Sequence, residues 1–246
     1  MDCEKIQGNF SYNGLTNYSA ELSIMRIYAI IPAYNEERNI GKVIEGIKKY
    51  TNNIIVVDDG SNDGTSKIAR KEGVKVYRHI INRGLGGALG TGIKAALSEN
   101  ADIILTIDAD GQHDPEEIPN LLKPIVSGDA DVVIGSRFLK NQRMPIFRKT
   151  GNYFFNFITF LFFGIWSTDS QSGMRVFNKK AAESLRTLTS GMEVSSEIMT
   201  DIKTNELRLK EVPIRAIYTS YSLSKGQGFW VGLKTLAKLF ILKITK

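Results

Sequence analysis

The chain has 246 residues, 42% hydrophobic and 24% charged, an ordinary globular composition that suits one large α/β domain or two small ones. A single cysteine, Cys3, excludes a disulfide framework and a thiolate metal cluster and fits a reducing compartment. The net charge of +6 and pI near 9.2 ask for a polyanionic partner: nucleic acid, phosphorylated substrates or an anionic membrane.

Residues 1–24 have no apolar h-region and no basic start, which rules out a signal peptide. They are expected to be a flexible leader, or an over-extended start with Met25 the true one. From Arg26 the pattern alternates. "RIYAIIPAYNE" is an apolar strand, and the following segment carries Ile40, Val43, Ile44 and Ile47 at helical spacing. "NIIVVDDGSNDGT" is a β-branched strand closing on turn residues, "SKIARKEG" a short helix stopped by Gly73, and "VKVYRH" a strand. "GALGTGIKAALSEN" is a helix rich in small residues, and "DIILTIDAD" a buried strand. "DPEEIPNLLKPIVSG" is a helix with acidic residues in its first turn, and "ADVVIGSRF" a further strand. This alternation predicts an α/β fold with a largely parallel sheet covered on both faces.

Beyond Arg137 the character changes. Thr150–Thr168 runs for 19 residues without a charge, interrupted by Asn152, Asn156 and Thr159; it reads as a core helix or, more sharply, an interfacial one rather than a membrane span. At the C-terminus, Phe229, Trp230, Leu233, Leu236, Phe240, Ile241 and Ile244 fall on one side of a helical wheel. Lys234, Lys238, Lys243 and Lys246 fall on the other. A terminal helix packed on its own domain would show the same pattern. Together with the aromatic segment and the basic pI, the lysine face favours a membrane surface. The sequence has no zinc-finger spacing, recognition-helix pattern or basic tract interleaved with aromatics, which argues against nucleic acid.

Ligands of an open parallel sheet bind beyond the carboxyl ends of its strands. Asp108 and Asp110 lie there, two residues apart; in extended chain they would face one ligand, with Ala109 turned to the core. Two carboxylates so close raise each other's pKa unless a cation compensates, and a divalent ion with hard oxygen ligands suits the need. Asp59 and Asp63 could merely cap turns. Gly90–Ala95 matches a G-x-G-x-x-A dinucleotide fingerprint in letters only, because it lies inside a predicted helix instead of the first strand–helix turn. Arg83, beside these glycines, suits either a phosphate or sugar contact or simple helix packing. His113 could be a third metal ligand, a group that orients a ligand from behind, or a turn stabiliser, and His79 suggests no particular role.

"IPAYNEE", "VVDDGSNDGT", "NRGLGGALGTGIKAAL", "DADGQHDPEEIPNLL", "VIGSRF", "DSQSGMRVF" and "EVPI" occur in this order from about Met25 to Lys225. In this the chain resembles the family 2 glycosyltransferases of GT-A fold, specifically the group of dolichyl-phosphate mannose synthase and polyprenyl-phosphate glycosyltransferases. The resemblance implies a Rossmann-like, mostly parallel sheet with helices on both faces over residues 25–225. An interfacial helix would fall at about 148–166, and an amphipathic membrane-surface helix at 226–246. It implies a nucleotide-sugar donor of GDP-mannose or UDP-glucose type. Pro32, Tyr34, Glu36, Val57 and Asp59 would hold base and ribose; Asp108, Ala109, Asp110 and Gln112 would hold the diphosphate. Asp108, Asp110 and Gln112 would carry Mg²⁺ or Mn²⁺. Arg137, Arg148, Asn152 and Lys225 would meet the phosphate of a dolichyl or polyprenyl phosphate, and Asp169–Gly173 would line the sugar's acceptor side. Asp110, Asp169 and Arg137 are the implied catalytic set, and Glu197 falls where the family has an acidic residue. The implied location is peripheral, at the cytoplasmic face of the cell membrane. Two positions depart from the mannose synthases: Asn152 stands in place of a serine, and Thr219 in place of an arginine. These leave the sugar and acceptor details open. A glycan, protein or diacylglycerol acceptor, or a non-catalytic nucleotide-sugar-binding role on the same fold, are the alternatives.

Overall fold

A computed structural model of the protein describes residues 24–139, 156, 160–161, 164–185, 194–215 and 217. Strand β1 (Ile27–Ala33) is apolar and buried at every position, which only a strand covered on both faces requires. Its alternate side chains feed two separate cores. Ala29, Ile31 and Ala33 join one and Tyr28 and Ile30 the other. The first core is closed by α1 (Ile40–Lys48), α2 (Thr65–Lys71) and α4 (Ile118–Val126), the second by α3 (Gly84–Ser98), α5 (Lys179–Ser184) and α6 (Val194–Thr204). The helical spacing read from Ile40, Val43, Ile44 and Ile47 is the buried face of α1. Helix α4 opens through a 3₁₀ turn, Pro115–Glu117, capped by the Asp114 side chain, so acidic residues do sit at that helix entry.

With β2 (Asn53–Asp58), β3 (Lys75–Arg78), β4 (Ile103–Thr106), β5 (Val132–Ser136), β6 (Arg175–Asn178) and β7 (Leu209–Pro213), the sheet has seven strands in the order β3-β2-β1-β4-β6-β5-β7. Strands β3, β2, β1 and β4 pair in parallel, as do β5 and β7. The short β6 runs against both β4 and β5. This reversal is absent from the alternating pattern of the sequence, because "RVFN" is four residues long and carries a charge. The mostly parallel expectation holds around it.

Gly92 of α3 serves packing. A Cβ at Gly92 would overlap Ile30 of β1 and press on Val57 of β2, so the helix lies closer to the sheet than any side chain permits. The stretch that mimics a dinucleotide fingerprint is therefore inside a helix, as its context predicts. Residues 1–23 and the lysine-rich segment 226–246 lie outside the described residues, as does most of the stretch 148–166. Among the described residues no helix is long and apolar enough to cross a membrane.

Candidate active site

The carboxyl ends of β1, β2, β4 and β5 share one edge of the sheet, and the reversed β6 begins there. The loops after β1 and β2 are laced together. Asn35, held at φ +54°, donates its backbone N–H to Ser61 Oγ at 2.9 Å and accepts from the Asn62 amide at 2.9 Å. The Glu36 amide donates to Thr65 Oγ1 at 2.8 Å, and Asp63 accepts from the amides of Thr65 and Glu37. Asp63 thus does the turn-capping work open to it in sequence. Pro32 and Val57 face each other in register as buried neighbours, and Val57 is fully inside the core, so the structure does not expose it to a ligand as the sequence expectation requires. Tyr34 is exposed and Glu36 is buried.

Asp59 is more committed than its place in a loop suggests. It is buried and accepts from the amides of Arg83 and Gly84, at 2.9 and 2.7 Å, at the start of α3. His79 Nδ1 lies 2.6 Å from the same carboxylate, and its Nε2 lies 2.9 Å from Thr91 Oγ1. His79, given no role by sequence, locks Asp59 to α3.

The second carboxylate cluster lies in the loop after β4. The strand stops at Thr106, earlier than "DIILTIDAD" suggests, and Asp110 sits in a turn that Gly111 closes at φ +74°. Ala109 is buried as expected, while Asp108 and Asp110 are half-buried. The two carboxylates reach one locality through the turn and not through strand alternation. Burial opposes ionisation of Asp108, yet the hydrogen bond from His113 and the positive fields of Arg175 and Arg137 hold its pKa below the ordinary value. Burial, and then the charge of Asp108, push the Asp110 pKa up. Two carboxylates held this close, one of them with its charged form disfavoured, fit a divalent cation. Among the described residues no group of three His, Cys, Asp or Glu gathers to cage a metal. The fit is with an ion such as Mg²⁺ or Mn²⁺ that takes its remaining ligands from a diphosphate and water. Gln112 donates its backbone N–H to Asp110 Oδ1 at 2.9 Å and directs its side-chain amide to Oδ2 of the same carboxylate. His113 is buried with Nε2 3.3 Å from Asp108 Oδ2, and its Nδ1 has no hydrogen-bond partner among the described residues.

A third cluster follows β5. Asp169 is fully buried and accepts from Arg137 three times: backbone N at 3.1 Å, Nε at 2.7 Å and Nη2 at 2.8 Å. This forked pair fixes the plane of the guanidinium at the sheet edge. The loop carrying Asp169 is itself clamped. Glu211 of β7 accepts from Ser167 Oγ at 2.7 Å, Thr168 N at 2.8 Å and Thr168 Oγ1 at 2.9 Å. Buried Asn156 accepts from both the amide and the hydroxyl of Ser170. Asn156, one of the polar residues that interrupt the uncharged aromatic stretch, is thus a loop anchor. The same loop reaches the second cluster at Gly173, where an added Cβ would fall on the Asp108 carboxylate, and where the backbone carbonyl accepts from Thr106 Oγ1 at 2.9 Å.

The structure therefore brings together Asp108, Asp110, Gln112, Asp169 and Arg137, and places Pro32 and Val57 near the ends of β1 and β2 with Tyr34, Glu36 and Asp59 on the loops that follow. Glu197 lies in the first turn of α6. Arg148, Asn152 and Lys225 lie outside the described residues. Glu211, although it stands in "EVPI", has no role assigned from sequence, and neither have His79 and Arg175; Gly173 belongs to the stretch expected to line the sugar's acceptor side, but nothing in the sequence signals its packing against Asp108. A charge inside the otherwise apolar "MRVF" was the one available signal for Arg175.

The family model described as "Glycosyl transferase family 2" matches residues 28–186. The UDP-N-acetylglucosamine–dolichyl-phosphate N-acetylglucosaminyltransferase of Methanococcus voltae is 41% identical over 246 residues, covering 89% of this chain and 97% of the relative. The undecaprenyl-phosphate mannosyltransferase of Micrococcus luteus is 31% identical, covering 85% and 90%. Among solved structures, glucosyl-3-phosphoglycerate synthase of Mycobacterium tuberculosis, in complex with Mn²⁺, UDP-glucose and phosphoglyceric acid, superposes with a TM-score of 0.69. It does so at 20% identity over 96% of this chain and 86% of that one, a likeness of fold. On the family match and on these relatives, the chain belongs to glycosyl transferase family 2.

Proposed function

We propose that the protein is an inverting, divalent-metal-dependent hexosyltransferase that moves a sugar from a nucleotide sugar to a dolichyl or polyprenyl phosphate at the cytoplasmic face of the membrane. The observation that carries this reading is the abutment of two half-sites of different chemistry. The loop that holds Arg137 through Asp169 also runs, at Gly173, against the Asp108 carboxylate. A donor diphosphate beside Asp108 and Asp110 and an anionic acceptor beside Arg137 would then meet at one point.

In this reading the loops after β1 and β2 hold the base and ribose, and Asp108, Asp110 and Gln112 hold the cation. The bound ion supplies charge neutralisation for the departing diphosphate. The acceptor needs little activation, since the second pKa of a phosphate monoester is about 6 and the nucleophile is already ionised near neutral pH. The work left to the protein is to bring two anions together in register, and Arg137 is oriented for that by Asp169. Arg148, Asn152 and Lys225 would complete the acceptor contact. The names of the two relatives support a lipid-phosphate acceptor, and so do the exposed Phe160, Leu161 and Trp166 just before Asp169. Phe160 and Trp166 stack edge-to-face at 5.6 Å, an apolar surface beside the acceptor side of the site.

The test is a panel of UDP-N-acetylglucosamine, UDP-glucose and GDP-mannose with a short polyprenyl phosphate and Mg²⁺ or Mn²⁺, with the product identified by mass. One donor is expected to give a polyprenyl-phosphate glycoside, and Asp110→Asn to lower turnover about a hundredfold or more. Transfer only to a glycan, protein or diacylglycerol would sink the acceptor assignment. Full turnover by Asp110→Asn would sink the metal site.

A further inference from the structure

Arg175 is a charge with no assigned role. It is 3% exposed, and Nη2 donates to the Ser170 carbonyl at 2.9 Å and to Ser195 Oγ at 2.8 Å. Its Nε, equally buried, has no hydrogen-bond partner among the described residues. Burying a guanidinium with a donor unmet is costly, and a buried cation is retained where opposite charge compensates it. The opposite charge near it belongs to Asp108 and Asp169. In the register Arg175 faces Thr106, two residues before Asp108, on one side and Ile134, three residues before the Arg137 that Asp169 binds, on the other. Burial pulls its pKa down to about 10, while the fields of Asp108 and Asp169 oppose the fall, so it remains a cation at neutral pH.

We propose that Arg175 is a positioning residue for both half-sites at once, its buried positive charge lying between the ends of β4 and β5 and offsetting the repulsion that Asp108 and Asp169 exert on two anionic substrates. The antiparallel insertion of β6 is what makes this possible. A strand starting at the site edge presents an early residue between two strands that end there. The inference rests on the proposed anionic donor, and it separates from a simple packing role by sign. If Arg175 only ties the 167–173 loop to α6, losing it loosens everything nearby. If it acts through charge, losing it weakens anion binding while making the Asp108–Asp110 pair a better site for a bare cation.

The experiment is calorimetric titration of Mn²⁺ alone, and of UDP or GDP in saturating Mn²⁺, into the wild-type protein, Arg175→Lys and Arg175→Gln, with melting temperatures in parallel. The lysine variant keeps the charge and loses the planar fork; it is expected to bind the nucleoside diphosphate within about threefold of wild type. The glutamine variant is expected to bind it about tenfold more weakly or worse, while Mn²⁺ alone binds as tightly as in wild type or tighter. Parallel loss of Mn²⁺ and nucleotide affinity in Arg175→Gln would overturn the proposal, as would nucleotide affinity left unchanged by that variant. Loss of nucleotide binding by Arg175→Lys would also overturn it, and that arm decides alone if the glutamine variant does not fold. A wild-type protein that binds neither UDP nor GDP refutes the proposed donor instead, and the Mn²⁺ response then decides the role of Arg175.

Discussion

Two residues next to each other in space, Gly173 and Asp108, show how little room the site leaves for substitution. The backbone of Gly173 is not in the left-handed region; the glycine is required because a Cβ there would occupy the space of the Asp108 carboxylate. Gly173→Ala is expected to turn Asp108 out of place, weakening Mn²⁺ binding about tenfold and turnover about a hundredfold, with a melting temperature close to wild type. Unchanged metal affinity would show that Asp108 has room to move. The aspartates themselves were legible in the sequence, because carboxylates after a buried strand need a chemical reason. The reason for a glycine at 173, inside the stretch expected at the acceptor side, was not, since its constraint comes from a residue 65 positions away.

At the scale of elements, β5 and β7 are stapled below the site. Asp131, just before β5, accepts from Arg208 Nε at 3.0 Å, Nη2 at 2.9 Å and backbone N at 2.9 Å, and from Asn178 Nδ2 at 2.9 Å. The hydrogen bonds from Arg208 outweigh burial and hold the Asp131 carboxyl well below the usual carboxylate range. A folded-state pKa below the unfolded one, about 3.9, means stability that is present above that pH and lost as pH falls below it. Asp131→Asn is expected to cost about 1–3 kcal/mol at pH 7 by urea unfolding, with the two proteins converging as the pH drops below about 4. A gap that stays constant with pH would assign the loss to shape alone. The helical spacing of α1 and the continuous apolar run of β1 were readable; β6 was not, because a four-residue strand takes its direction from its neighbours.

The whole molecule carries a net charge of +6, and much of the apolar surface near Asp169 faces outward. Four lysines, Lys234, Lys238, Lys243 and Lys246, line one side of the C-terminal helical pattern outside the described residues. In an attached protein each would contribute up to about 1 kcal/mol toward an anionic surface. The full chain is expected to co-sediment with vesicles containing acidic lipid and to be released as salt rises to about 0.5 M, where the Debye length falls to a few ångströms. Replacing the four lysines with glutamate should abolish sedimentation while leaving soluble turnover with a short-chain acceptor intact. Equal binding to neutral vesicles in high salt would point to apolar contact as the dominant force.

The sequence by itself determined the alternation of strands and helices, the family, and the loops in which the chemistry lies, because periodicity and strand-end carboxylates are local properties of the chain. The tertiary structure decided which charges meet. It paired Arg137 with Asp169, set Gly173 under Asp108, tied His79 to Asp59, and turned β6 against its neighbours so that Arg175 lies between both half-sites. Those pairings depend on strand order and on close approach between distant segments, and no local pattern in a single chain encodes them.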